Sequence, residues 1–137
     1  MNLKRLSILL LLVVSLAACQ SNTVTGEDIS VAGGSYKNVL PKEHKTLLKN
    51  KDFVFVNVHI PFAGNIAGTD LSIAYDQIEQ NLSQLPEDKN AKIVLYCRSG
   101  HMSQIAAEKL VSLGYTNIWN LKGGMADWEK EGFEIQK

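Results

Sequence analysis

In the stretch LYCRSGHMSQ, Leu95–Gln104, a cysteine stands between an apolar run and a segment of helical spacing, with Arg98, Ser99, Gly100, His101, Met102 and Ser103 directly behind it. As the thiolate, Cys97 would be a strong nucleophile. A tight turn through Gly100 into a helix start points backbone N–H groups inward, and the helix behind adds partial positive charge, so the expected local structure is an anion cradle around sulfur. Arg98 adds a full cation beside it. The competing reading is a small buried residue that merely closes a strand.

The neighbours of Cys97 narrow its chemistry. No second catalytic group is evident, and nothing in the sequence marks the His and Asn of a Cys-His-Asn protease set. A reaction whose leaving group departs as an anion needs no general acid. Transfer of a sulfane sulfur meets that condition: the thiolate attacks, an anion such as sulfite leaves, and the persulfide that remains is itself an anion for the cradle.

The elements that must position this loop follow from hydrophobic pattern. Phe53–Val58 (FVFVNV), Lys92–Cys97 (KIVLYC) and Thr116–Leu121 (TNIWNL) read as strands. Helices are expected over Pro41–Lys49, over the segment YDQIEQNLSQLP with Ile78, Leu82 and Leu85 on one face, over Met102–Leu113, and in GMADWEKEG. FEI, Phe133–Ile135, reads as a small terminal strand. Apolar strands alternating with helices imply an α/β domain with a mainly parallel central sheet and helices on both faces, a frame in which function gathers at strand carboxyl ends, where Cys97 stands.

At 137 residues, with 45% hydrophobic content and 14 basic against 14 acidic residues, the chain suits one domain and offers no basic excess for nucleic acid. Its start is different. MNLKR is followed by a 13-residue apolar and small stretch, Leu6–Ala18, too short to span a bilayer and of export-signal type. Leu16-Ala17-Ala18-Cys19 resembles the lipobox of bacterial lipoproteins, which implies cleavage before Cys19 and lipidation of its thiol, palmitate included. The expected organisation is a signal peptide over 1–18, lipidated Cys19 and a flexible tether over 19–35, and a folded domain over 36–137. The domain would then face outside the cytoplasm on the cell envelope, at the outer membrane or in the periplasm of a Gram-negative cell. Loss of Lys4 and Arg5 leaves 12 basic residues against 14 acidic, so the membrane would be held by lipid rather than by charge. Lipidation leaves Cys97 as the remaining thiol, without an internal disulfide partner.

From Tyr96 to Trp128 the chain, YCRSGHMSQIAAEKLVSLGYTNIWNLKGGMADW, resembles the second half of the rhodanese (sulfurtransferase) family. The family's CRSGxR loop, helix, LGY turn and strand, and GG-x-x-x-W ending are matched at Cys97–Met102, Gly114-Tyr115, Gly123-Gly124 and Trp128. The resemblance implies an α/β domain that cycles Cys97 through a persulfide, taking sulfur from a small sulfur-containing anion or persulfide donor and passing it to a thiol acceptor. It assigns Arg98, Ser99, Gly100, His101, Met102 and Ser103 to the substrate-binding loop. Ser99 would donate to the sulfur and Ser103 would cap the helix.

Three departures stand out. Asn57-Val58-His59 replaces the family's D-V-R, Gly64-Asn65-Ile66-Ala67-Gly68-Thr69 replaces G-H-I-x-G-A, and Met102 replaces the loop arginine. Arg98 is expected to compensate in part by folding over the loop mouth; Asn57 and His59, at another strand end, either line the pocket or take places in the core or loop. Related phosphatases carry C-x5-R; here the sixth position after Cys97 is Ser103. His44 and His59 show no ligand spacing with each other or with Cys97, so neither metal nor other cofactor is expected. Trp119, Trp128, Gly123 and Gly124 read as packing and backbone geometry. The alternative from another class is a binding or sensing module that keeps the loop and captures a small anion or partner thiol with little turnover.

Overall fold

Strand β5, Ile93–Tyr96, shows how the sheet is covered: Ile93 and Leu95 point into one buried cluster and Val94 and Tyr96 into another. Alternation of side chains across a strand makes this arrangement necessary once all four residues are apolar or aromatic. The computed structural model describes residues 22–137, so the expected signal sequence and Cys19 lie outside the described residues.

Six strands form one sheet: β1 Glu27–Val31, β2 Gly34–Val39, β3 Val54–Asn57, β4 Leu71–Ser72, β5, and β6 Ile118–Leu121. Their order is β1-β2-β6-β5-β3-β4, with every neighbouring pair parallel except β1 and β2. Helix α2, His101–Ser112, covers one face through Ala106, Ala107, Leu110 and Val111. Helices α1, Pro41–Leu47, and α3, Gly124–Lys130, cover the other, where Met125 and Trp128 join Phe55, Val94 and Tyr96. The α/β class, the mainly parallel sheet and the helices on both faces are as the sequence implies. Among the described residues no helix is long and apolar enough to cross a membrane.

Three expectations need correction. The stretch read as a tether is a β-hairpin from Glu27 onward, with Ile29 opposite Tyr36 and Val31 opposite Gly34. Gly33 takes φ 86° in the turn, Ile29 and Val31 pack on the core, and Asp28 pairs with Lys37 at 2.7 Å. Two inward side chains in an otherwise polar strand leave no hydrophobic period to read. The helix expected over YDQIEQNLSQLP is instead two short 3-10 segments, Tyr75–Gln77 and Glu79–Gln84. Asn81, at φ −117° and ψ 21°, bonds the Ile78 carbonyl through its N–H, and its side-chain amide donates to the Gln77 carbonyl that an α-helical N–H would take. Finally, FEI forms no strand; Gln136 and Asn65 make a single antiparallel bridge there, two hydrogen bonds of 2.7 and 2.8 Å.

Candidate active site

Cys97 follows β5 directly, and the chain turns at Gly100, φ 101°, into α2. The turn brings the Gly100 N–H to 3.0 Å from Sγ and the Ser103 N–H to 3.4 Å, so two backbone donors converge on the sulfur. The Ser103 hydroxyl lies 3.4 Å from Sγ and donates to the Gly100 carbonyl at 3.1 Å. Ser103 therefore holds the sulfur loop closed instead of capping the helix, whose N-cap is Gly100. Ser99 is exposed, and the hydroxyl beside the sulfur belongs to Ser103. Cys97 itself is only 1% exposed. A reacting molecule must present a narrow sulfur-bearing end to reach it.

The loop rests on the start of α3. The Met125 N–H donates to the Cys97 carbonyl and the Ala126 N–H to the Arg98 carbonyl, both at 2.9 Å. That approach requires Gly124, which takes φ 56° and lies directly beneath those two carbonyls. The Gly123-Gly124 pair is thus the floor of the sulfur loop. Arg98 is exposed, as is His101, while Met102 is half-buried and packs against the cluster under α2. An apolar contact with the core occupies the position where the family carries a cation.

Of the two places open to Asn57, the structure shows the one in core and loop. Asn57 is buried; its amide donates to the Gly64 carbonyl and the Asn65 side-chain oxygen, each at 2.9 Å, and its own oxygen accepts the His59 N–H at 3.0 Å. It therefore ties down the loop after β3 and does not line the pocket. Burial, helped by the nearby charge of Arg98, holds the His59 imidazole below its ordinary pKa. Tyr96 completes the tie: its hydroxyl accepts the Ile66 N–H at 3.0 Å and meets the Thr69 hydroxyl at 2.7 Å. Burial raises the pKa of this phenol, against the opposing effect of its hydrogen bonds from Thr69, Ile66 and Asn57. Tyr96→Phe leaves the buried Ile66 N–H unpaired, so we expect a loss of about 2 kcal/mol in urea unfolding; an unchanged midpoint would contradict this bond's role.

The loop so fixed forms one wall of a cleft of about 840 Å³ beside the site. Phe62, Ala63 and Gly64 line it together with Arg98, Met125, Ala126, Glu129, Lys130, Ile135 and Lys137. None of these cleft residues except Arg98 was marked as functional by sequence reasoning. The exposed Phe62, within a Pro-Phe loop, was the available signal.

Residues 40–131 match the Rhodanese-like domain family. The chain belongs to that family. It is 31% identical over 91 residues to a sulfurtransferase of Allochromatium vinosum, covering 65% of this chain and 83% of that protein. It is 32% identical over 105 residues, 68% of its length, to the adenylyltransferase and sulfurtransferase UBA4 of Candida albicans, but spans only 23% of that protein. A solved rhodanese-like domain protein from Staphylococcus aureus superposes with a TM-score of 0.61 at 30% identity, over 74% of this chain and 99% of that one. Two of these three relatives are sulfurtransferases by name, and the fold around Cys97 is that of the family.

Proposed function

We propose that this rhodanese-like protein is a sulfurtransferase of the cell envelope, anchored by lipid on Cys19 and carrying sulfur as a persulfide on Cys97. The observation that supports it is the pair of N–H groups from Gly100 and Ser103 aimed at a sulfur at a strand's carboxyl end. Such donors can hydrogen-bond a sulfur anion, and they serve thiolate and persulfide alike.

In the first half-reaction the Cys97 thiolate attacks the outer sulfur of the donor, the donor's S–S bond breaks, and its electron pair leaves with the departing anion. In the second, an acceptor thiolate takes that sulfur from Cys97 and restores the thiolate. Neither half requires an external oxidant or general acid. Oxidation of an unprotected thiolate is the hazard of this site, and with Cys97 the lone thiol left after lipidation, repair calls for an outside reductant.

The test is intact mass after incubation with thiosulfate, thiosulfonates and low-molecular-weight persulfides. Wild type is expected to gain one sulfur, about 32 Da, and Cys97→Ser none. Equal labelling of Cys97→Ser overturns the nucleophile. Failure of every donor favours the rival reading, a module that holds a small anion or partner thiol without turnover, which the packing of Met102 into the core supports. The anchor is tested in the same preparations: Cys19→Ser should abolish lipid labelling and membrane fractionation, and persistence of both overturns that part.

A further inference from the structure

We infer that the cleft beside the sulfur loop binds the organic body of an anionic sulfane-sulfur donor, so that apolar-bodied donors are selected over small inorganic ones. The inference rests on the sulfurtransferase reading and names the substrate class for it. At about 840 Å³ the cleft has the size of a site for a whole organic molecule. An inorganic anion of a few heavy atoms would leave most of it empty.

Its walls divide by chemistry. Phe62, Met125 and Ile135 supply apolar surface, and Phe62 is held 64% exposed on a loop that Asn57 ties down at His59 on one side and at Gly64 on the other. Arg98, Lys130 and Lys137 stand against one carboxylate, Glu129. Lys130 also meets Asp127 at 3.2 Å, whereas among the described residues no carboxylate pairs with Arg98. A ligand with an apolar body and a negative head satisfies both halves. A folded protein acceptor fits less well, because a sulfur 1% exposed admits only a thin reactive end.

The cleft also stands next to the chemistry. The two hydrogen bonds from Met125 and Ala126 fasten its wall to the backbone of Cys97 and Arg98, so Arg98 is shared by loop and cleft. A thiosulfonate seated there presents its outer sulfur past Arg98. Attack by the Cys97 thiolate forms the new S–S bond, breaks the donor's, and releases a sulfinate with the electron pair.

The experiment compares two donors with the same reactive head, benzenethiosulfonate and methanethiosulfonate, by their second-order rates of persulfide formation. Wild type is expected to prefer the aryl donor about 10-fold, and Phe62→Ala to bring the two within about 3-fold of each other. Ile105→Ala, an exposed apolar side chain on α2 across the sheet, should leave the preference unchanged. Equal rates in wild type, or a Phe62→Ala variant slowed equally with both donors, would overturn the inference. Should neither thiosulfonate label, the sulfurtransferase reading is decided by thiosulfate and the persulfide donors, and the cleft is judged separately by titrating Cys97→Ser with benzenesulfonate. Shifts of the Met125 and Ala126 amide resonances that Phe62→Ala removes support it; no shift by about 10 mM overturns it.

Discussion

Gly124→Ala is expected to destabilise the domain by on the order of 4 kcal/mol and to slow persulfide formation about 100-fold. A Cβ at this position would overlap the Cys97 carbonyl oxygen and lie 2.9 Å from the Arg98 carbonyl carbon and oxygen. These are backbone atoms and do not swing aside. Relief requires α3 and the sulfur loop to separate, which stretches both hydrogen bonds that fix Cys97 and Arg98. The left-handed φ of 56° adds about 1–2 kcal/mol for any residue with a side chain. Gly132 separates the two contributions: its φ is 82°, but nothing lies within 4 Å of a Cβ placed there. Gly132→Ala should therefore lose only the backbone part, about 1 kcal/mol, and keep its labelling rate. Thermal melting reads the difference, with a fall on the order of 15 °C for Gly124→Ala. A melting point within a few degrees of wild type would refute the floor assigned to Gly124.

The second large effect lies in the core. His44 is wholly buried under α1, with its ring 4.4 Å from Phe55, 5.6 Å from Phe53 and 6.0 Å from Trp128, and neither nitrogen has a hydrogen-bond partner. Burial, and then the charge of Lys92, lowers its pKa to about 3 from the ordinary 6.5. The folded state thus holds His44 neutral while the unfolded chain protonates it. A depressed histidine contributes stability that is complete above pH 6.5 and lost as pH falls through about 3. The loss across that window approaches about 4–5 kcal/mol. His44→Phe removes both the titration and the unpaired nitrogens. Its unfolding free energy from urea titration should exceed that of wild type by about 1 kcal/mol at pH 7, with the gap widening as pH falls from 6.5 towards 3. Parallel stability curves for the two proteins between pH 6.5 and 4 would disprove the role given to His44.

His44 also shows where sequence reading stops. A histidine in PKEHKTLLK reads as one more polar residue of a surface helix; Phe53, Phe55 and Trp128, brought up from two other elements, decide its burial. The sulfur loop was legible because its geometry is local. Strand, glycine turn and helix start stand within Ile93–Ser103, and their hydrogen bonds span at most six residues. The cleft was not, since its walls come from residues 62–64, 98, 125–130 and 135–137, which share no periodic pattern. Between these cases stand Ile78, Leu82 and Leu85. Their spacing marks a buried face correctly, yet Asn81 gives that face to 3-10 turns rather than an α-helix.

The order of the sheet bears on how this chain is made. β2 lies beside β6, with Asn38 and Asn120 hydrogen-bonded at 2.9 Å across 82 residues of sequence. β6 also joins β2 to β5, so the hairpin at one edge and the strands that carry Cys97 remain two unconnected pieces until residue 121 is in place. Long-range parallel pairing of this kind closes slowly. Until residue 121 has left the ribosome the sheet cannot close. A chain caught before that point is still open enough to be threaded through a narrow pore, and its Cys97 thiol stays uncovered until β6 arrives.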